Sequence, residues 1–275
     1  MRRIVHLSDL HFGRVDPELI TPLIEAVRAV EPHLVAISGD LTQRARSSQF
    51  QEARQFLDRL PFPQIVVPGN HDIPLHNLLA RFGWSLKRYR RYISDDLAPF
   101  FEDDELAVAG VNTARALTTK YGRISHRQLA RLGARFAGAR PQTTKIVVSH
   151  HPFDLPAGYE NERQLVGRSE VAMAVLATSG VDLVLSGHLH LTHAVLTTAR
   201  YKIAGYSALL VQAGTAISTR GRGEANSFNV LEVEPGAITA VTMSWQEEAR
   251  RFVSLTRVTF QRTADGWQPL TEVAA

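Results

Sequence analysis

Ile4-Val5-His6-Leu7-Ser8-Asp9-Leu10-His11 is the stretch whose reading decides the fold. A short apolar run, too brief for a helix, gives way abruptly to an acid and a histidine. It reads as a buried strand with chemistry at its carboxyl end. Outward from it, Glu18 to Val30 sets Leu19, Leu23, Ile24, Val27 and Val30 on one helical face. Leu34-Val35-Ala36-Ile37 repeats the apolar run and stops at Gly39-Asp40. Ser48 to Leu60 is a second amphipathic helix, with Phe50, Ala53, Phe56, Leu57 and Leu60 inward and Pro61 and Pro63 ending it. Ile65-Val66-Val67 is a third strand running into Pro68-Gly69-Asn70. Alternating strands and helices, with the strands uniformly apolar, predict a mostly parallel sheet covered by helices.

Farther along, Leu75 to Phe101 reads as an inserted helical segment. Ala107–Val111 is a strand, Ser125–Phe136 a helix, and Lys145–Ser149 a strand ending at His150-His151-Pro152. Glu170–Ala177 is a helix, and Leu183–Leu185 a strand ending at Gly187-His188. From Ala194 the chain reads as successive strands: Ala194–Thr197, Leu209–Val211, Phe228–Val233, Ala237–Met243 and Phe252–Phe260. Turns such as Glu234-Pro235-Gly236 and Asp265-Gly266 separate them. No repeat, low-complexity stretch or linker divides the sequence. The expectation is one α/β domain over residues 1–275, a size suited to a single large core.

The apolar share of 44% and charged share of 21% are those of an ordinary globular protein. No apolar run approaches the roughly 18 residues of a membrane span. Met1-Arg2-Arg3 precedes a first strand, not the long apolar stretch of an export signal, which favours a cytoplasmic location. There is no cysteine, so disulfides and thiolate metal sites are excluded and any metal must use oxygen and nitrogen ligands. A net charge of +4 suits a small anionic substrate.

Five segments carry such ligands, each after an apolar run: Asp9-Leu10-His11, Gly39-Asp40, Gly69-Asn70-His71-Asp72, His150 and Gly187-His188-Leu189-His190. Sites in open α/β sheets form beyond the carboxyl ends of the strands. Residues two apart in an extended segment face the same way, so Asp9 and His11 can grip one ion together. His188 and His190 can do the same, or serve two adjacent ions. Gly39, Gly69 and Gly187 allow close backbone approach. Two-metal centres hold their ions about 3.5–4 Å apart, a gap one carboxylate can bridge, and Asp40 stands alone as the bridge candidate. Such ions bind phosphoryl oxygens and activate water. His71 is placed to protonate a leaving oxygen, with Asp72 as a carboxylate that could orient it. Oxygen and nitrogen donors accept Mn, Fe, Zn or Co.

The ordered series D-x-H, G-D, G-N-H-D, H and G-H-x-H, from Asp9 to His190, resembles the calcineurin-like metallophosphoesterase superfamily. It looks closest to the bacterial class that includes cyclic-nucleotide phosphodiesterases. The resemblance implies an α/β fold: a two-sheet β-sandwich flanked by helices, with the C-terminal strands at about 194–260 completing the second sheet. It implies one metal held by Asp9, His11, Asp40 and His190, and another by Asp40, Asn70, His150 and His188. His71 matches the histidine that contacts the phosphate or leaving group. His150 is favoured over His151 because it comes first after its strand. The implied activity is hydrolysis of phosphodiesters, with 3',5'-cyclic nucleotides as the substrate the resemblance suggests. One alternative is a nucleotide–lipid pyrophosphatase like the UDP-diacylglucosamine hydrolases. Those usually carry arginine where His71 stands, which counts against them, while a basic aromatic insertion counts for them. A DNA-repair nuclease is disfavoured because no further DNA-binding domain is evident. A non-catalytic binding module of the same fold is disfavoured by the intact ligand set.

Each motif alone has a plainer reading: a capped turn for D-x-H, turn chemistry for G-D or G-N. Their conjunction in order, each on a strand end, is what points to a site. His6 reads as a core histidine, His33 as part of a pre-strand turn, and His126 as part of a helix's first turn. His151 and His193 can be structural or touch substrate, and His76 can approach the mouth of the site. The segment 81–93 sets Arg81, Lys87, Arg88, Arg90 and Arg91 among Phe82, Trp84, Leu86, Tyr89, Tyr92 and Ile93. It reads as a solvated basic face with its aromatics in the core. The alternatives are a lid or peripheral membrane contact, or a platform for nucleic acid. Arg220-Gly221-Arg222-Gly223-Glu224 reads as a flexible turn, with anion contact as the alternative. The sequence assigns no substrate-binding residue and no oligomeric state.

Overall fold

The opening stretch does form a buried strand, and its alternation explains the layering. In the computed structural model, which describes residues 1–75, 77–156, 158–159, 161–221 and 223–270, strand β1 spans Arg2–Leu7. Ile4 points into one apolar cluster, Val5 and Leu7 into another. Helix α1 (Pro17–Val30) starts where Asp16 accepts a hydrogen bond from the Glu18 amide, with Pro17 pre-set in the first turn. There follow β2 (Leu34–Ile37), α2 (Ser47–Asp58) and β3 (Gln64–Val66). The predicted insertion contains two short helices, α3 (Leu78–Gly83) and α4 (Lys87–Tyr92). Its end is β4 (Phe100–Glu102), an edge strand paired with β5 (Leu106–Val111).

Next come α5 (His126–Gly138), capped by a Ser125–Gln128 box, and β6 (Thr144–Ser149). Then follow α6 (Ser169–Thr178) and β7 (Leu183–Ser186). The remainder is strands: β8 (His193–Leu196), β9 (Leu209–Gln212), β10 (Ser227–Glu234), β11 (Ala237–Gln246), β12 (Arg251–Thr263) and β13 (Gly266–Pro269). The Asp265-Gly266 turn thus leads into a further strand that the sequence did not suggest.

A seven-stranded sheet runs β13-β12-β11-β10-β1-β2-β3, and a six-stranded sheet runs β4-β5-β6-β7-β9-β8. Strands β1–β3 are mutually parallel, as are β5, β6, β7 and β9. The sheets face each other through Ile4, Leu34 and Ile65 on one side and Val108, Ile146, Val148 and Leu185 on the other. Helices α1 and α2 cover the outer face of the first sheet through Leu23, Val27, Phe50 and Phe56. Helices α5 and α6 cover the second through Leu132, Phe136, Met173 and Leu176. This is the α/β two-sheet sandwich flanked by helices that the resemblance implied.

The C-terminal strands differ from the expectation that they complete the second sheet. Only β8 and β9 lie there, whereas β10–β13 continue the sheet begun by β1. The reason is an open edge. With β2 on one side, β1 would leave a row of unpaired amides and carbonyls on the other, and β10 pairs antiparallel along it from Arg2↔Val233 to His6↔Asn229. Among the described residues no helix is long and apolar enough to cross a membrane.

Candidate metal centre

All five segments meet beyond the carboxyl ends of β1, β2, β3, β6 and β7. Asp9, His11, Asp40, Asn70, His150, His188 and His190 are all buried. They converge by a route that the spacing alone did not reveal. The pairs two apart are not extended: Asp9 and His11 both have φ 52°, His188 75° and His190 58°, and Asp40 adds φ 52°. Left-handed backbone costs on the order of 1 kcal/mol or more at a residue with a side chain. Five such residues in one cluster are held there by the surrounding loops, as strain at functional sites commonly is. Two glycines make the approach possible. A Cβ on Gly69 would overlap Asp40 Oδ1, and one on Gly187 would overlap Ser8 Oγ and Asp9 Oδ2.

The donors form two groups. In the first, Asp9 Oδ1 lies 3.1 Å from His190 Nε2 and 3.6 Å from His11 Nε2, and the two imidazole nitrogens are 3.1 Å apart. In the second, Asn70 Oδ1 lies 3.1 Å from both His150 Nε2 and His188 Nδ1, which are 3.3 Å apart. Asp40 Oδ2 joins them, 3.8 Å from His11 Nε2 and 3.4 Å from His150 Nε2. One carboxylate oxygen, not two, faces both groups, because Asp40 Oδ1 accepts the His71 amide at 2.7 Å.

The imidazoles are oriented from behind. His150 Nδ1 lies 2.8 Å from the Ser38 carbonyl, His188 Nε2 2.8 Å from Gln164 Oε1, and His190 Nδ1 2.9 Å from the Arg220 carbonyl. Each of those partners only accepts, so each ring donates outward and turns a lone pair inward. Those lone pairs point at one another, at Asn70 Oδ1 and at Asp9 Oδ1, a buried oxygen with no hydrogen-bond donor. Converging lone pairs repel unless a cation sits among them. The donor set, two carboxylates, an amide oxygen and four imidazoles, fits a pair of divalent ions. Ser38, Gln164 and the Arg220 carbonyl were not singled out from sequence. Gln164 belongs to a single turn of 3₁₀ helix at Glu162–Gln164, with no motif to mark it.

The electrostatics agree. Burial opposes ionisation of Asp9 and Asp40, yet the imidazoles around them, His190 and His150 foremost, hold both well below the usual carboxylate range. Burial likewise opposes charge on His150, but Asp40 outweighs it and holds that imidazole up at about 9, so that a proton takes the inward Nε2 lone pair whenever no cation does. His188, buried and facing His151 and His150, is pushed well down. Cations and protons compete for these sites.

His151 is buried beside the centre, but Nδ1 contacts Thr113 Oγ1 at 2.8 Å and Nε2 the Lys120 carbonyl at 3.0 Å, so it presents no free donor. His6 is fully buried, 2.9 Å from Ser38 Oγ. His33 Nδ1 accepts the Arg3 amide, and His126 opens α5 as expected. His193 begins β8, half-buried, and His76 and Arg222 lie outside the described residues.

His71 Nδ1 lies 3.0 Å from the Gln43 carbonyl, and Nε2 lies 2.9 Å from Arg220 Nη1. The guanidinium only donates, so Nε2 accepts and the ring proton sits on Nδ1. Asp72 departs from the orienting role expected of it. Its Oδ1 accepts the Thr42 amide and hydroxyl at 2.9 Å, and its Oδ2 accepts the amides of Leu41 at 3.2 Å and Gly69 at 3.0 Å. It ties the loops after β2 and β3 together, and the Gln43 carbonyl takes its place at His71. Burial, then the charge of Asp40, push Asp72 up to about 7, against four donors that favour its ionised form.

The calcineurin-like phosphoesterase family model matches residues 2–191, a span that contains every donor above. The chain therefore belongs to the calcineurin-like phosphoesterase family, a class of metal-dependent phosphoester hydrolases. It is similar to the glycerophosphodiester phosphodiesterase GpdQ of Enterobacter lignolyticus, 28% identical over 61% of this chain and 65% of that protein. It is also similar to the 3',5'-cyclic adenosine monophosphate phosphodiesterase CpdA of Escherichia coli K12, 25% identical over 68% of this chain and 69% of that one. The match thus spans about two-thirds of these relatives' lengths. Among solved structures, a dimetal phosphatase from Danio rerio shares the fold with TM-score 0.65 at 15% identity, covering 93% of this chain and 98% of that one.

Proposed function

We propose that this protein hydrolyses phosphodiesters at a dinuclear centre. Asp9, His11, Asp40 and His190 would hold one ion, and Asp40, Asn70, His150 and His188 the other. The observation that carries this reading is the shared Asp40 Oδ2, set between two groups of inward lone pairs. Two bound divalent ions supply Lewis acidity toward the phosphoryl oxygens and a more acidic water; Mn, Fe, Zn and Co all suit the donors.

The chain's own residues do the rest. Ser38, Gln164 and Arg220 fix the imidazole rings through hydrogen bonds to their outer nitrogens. His71 stands beside His11, ring centroids 4.9 Å apart, at the edge of the centre. Its role is to deliver a proton to the departing alkoxide through Nε2, which must first take that proton up from water to form the imidazolium, Nδ1–H staying on the Gln43 carbonyl. That nitrogen now accepts from Arg220. Delivery therefore requires the guanidinium to move, and an arriving phosphoryl group is the anion that draws it away. Arg220 is thus assigned to the substrate's charge.

Of the two relatives named above, one is a glycerophosphodiester phosphodiesterase and the other a cyclic-nucleotide phosphodiesterase, and those two ester classes are the substrates to test first. A nucleotide–lipid pyrophosphatase is the remaining alternative within the class. The complete donor set speaks against a purely binding role. Turnover of bis-p-nitrophenyl phosphate, cyclic nucleotides, glycerophosphodiesters and nucleotide–lipid pyrophosphates by metal-loaded protein tests the reading. Absence of hydrolysis across the panel, with two ions bound per chain, would overturn it.

A further inference from the structure

Of the ten large apolar side chains exposed among the described residues, five gather in one place: Leu78 (63% exposed), Leu79 (82%), Phe82 (59%), Trp84 (63%) and Leu117 (74%). The other five are spread from Met1 to Leu270. Single exposed hydrophobics are ordinary, but a contiguous group of large ones is not.

The group is held rigidly. Arg81, on the same helix α3, is buried, and its guanidinium donates to the carbonyls of Pro74 at 3.1 Å, Ala116 at 2.6 Å and Thr118. That clamp fixes the loop carrying Leu117 against α3. Helix α4 is anchored separately. Tyr89 is buried with its hydroxyl donating to the Val66 carbonyl at 2.9 Å, and Tyr92 stacks on Phe50 at 6.3 Å. The inward aromatics of this segment are therefore Tyr89 and Tyr92, and the outward ones are Phe82 and Trp84. The patch lies at the rim of the candidate centre. Helix α3 begins six residues after Asp72 in sequence, and Asn70 Nδ2 lies 3.4 Å from the Thr119 carbonyl, two residues from Leu117.

Beside the apolar group stand Lys87, Arg88, Arg90 and Arg91. None of them forms an ion pair with a carboxylate among the described residues. Arg88 and Arg90 donate to the backbone carbonyls of Ala45 and Asp95. Lys87 lies over the Trp84 ring at 5.8 Å and Arg91 over Tyr92 at 5.4 Å. A second copy of this chain would set these cations against one another. A bilayer with anionic headgroups satisfies both halves, since apolar side chains enter the interface while the cations meet phosphate.

We infer that residues 78–91 with Leu117 form a docking surface for an anionic membrane, which places the mouth of the candidate centre at the lipid interface. The inference does not depend on which ester is cleaved.

Sedimentation of the metal-loaded full chain with vesicles tests it. One set is phosphatidylcholine alone, and the other is phosphatidylcholine with phosphatidylglycerol at roughly 7:3. The bound fraction should rise about fivefold or more with phosphatidylglycerol and fall again in about 0.5 M salt. The variant Leu79→Ser/Phe82→Ser/Trp84→Ser should lose binding to both vesicle types. Lys87→Gln/Arg90→Gln/Arg91→Gln should lose only the dependence on phosphatidylglycerol. Unchanged hydrolysis of bis-p-nitrophenyl phosphate and unchanged far-UV circular dichroism in both variants show that the fold is intact. If hydrolysis itself is undetectable in the wild type, the circular dichroism control still stands and the vesicle result is read alone. No sedimentation above the vesicle-free control overturns the inference. So does binding that the first variant leaves unchanged, or tight binding of single-stranded oligothymidylate, abolished by the same substitutions, with no affinity for vesicles.

Discussion

His71 and Arg220 share one hydrogen bond, 2.9 Å long, and it occupies the nitrogen that His71 needs for proton delivery. Two residues 149 apart in sequence are thereby coupled at the mouth of the centre. If the guanidinium leaves Nε2 for an incoming phosphoryl group, its loss and the loss of the imidazole have different signatures.

Removal of the imidazole should depend on the leaving group. His71→Ala is expected to slow hydrolysis of an alkyl phosphodiester by about 10²–10³, within the range for one general acid. The loss should be much smaller for a p-nitrophenyl ester, whose leaving group departs without a proton. Steady-state rates on both substrates, with metal content measured in parallel, check this. Equal losses on both esters would remove His71 from the acid role.

Arg220→Ala should act earlier in the cycle. KM for any diester should rise about tenfold or more, as expected when a charge-assisted contact to an anion is lost. Metal content should be unchanged, because it is the Arg220 carbonyl that supports His190, and the substitution keeps it. Arg220→Lys should recover part of the affinity.

Asp40→Asn tests the shared oxygen. An amide carries no charge with which to offset two cations, so both ions should be lost together, with turnover down by about 10³ or more. Metal counting by mass spectrometry distinguishes this from a variant that loses only one ion.

Asp72→Ala should harm stability. Four donors, three of them backbone amides, would lose a buried acceptor, and a cost of about 3 kcal/mol or more follows. Denaturant unfolding measures it. Turnover per metal-loaded, folded molecule should change far less than in His71→Ala, which a carboxylate acting on His71 would not allow.

His6 gives a pH dependence. Burial drives its imidazole from 6.5 down to about 3, and its Nδ1 has no hydrogen-bond partner. As pH falls below 6.5 the unfolded chain takes up a proton that the folded chain refuses. Stability is therefore full above that value and is lost toward pH 3, by about 1.4 kcal/mol per pH unit for this group. His6→Gln should show a shallower decline than the wild type in urea titrations between pH 6 and about 4.

The first sheet and its helices were legible because Ile4, Val5 and Leu7 or Leu34 to Ile37 are runs with one physical reading, and a helix between them leaves only a parallel pairing. The donors were legible because glycine, acid, amide and histidine recur at strand ends. What escaped has a common cause: it depends on partners far apart in sequence. Gln164 meets His188 and the Ser38 carbonyl meets His150, with no local pattern to mark either; the loop of Arg220 was read as a turn with anion contact as the alternative, but nothing local paired it with His71. The edge that β10 completes on β1 is equally non-local. Asp72 was misread for the opposite reason. Its nearness to His71 in sequence suggested contact, but the backbone turns its carboxylate toward Thr42.

The centre takes Asp9, Asp40 and Asn70 from loops of one sheet, and His150, His188 and His190 from loops of the other. Ions seated there rivet the two halves of the sandwich at a single end. Chelation should therefore loosen the molecule unevenly: amide exchange would quicken first where β1 and β6 come together at their carboxyl ends, while the hairpin of β11 and β12 keeps its protection.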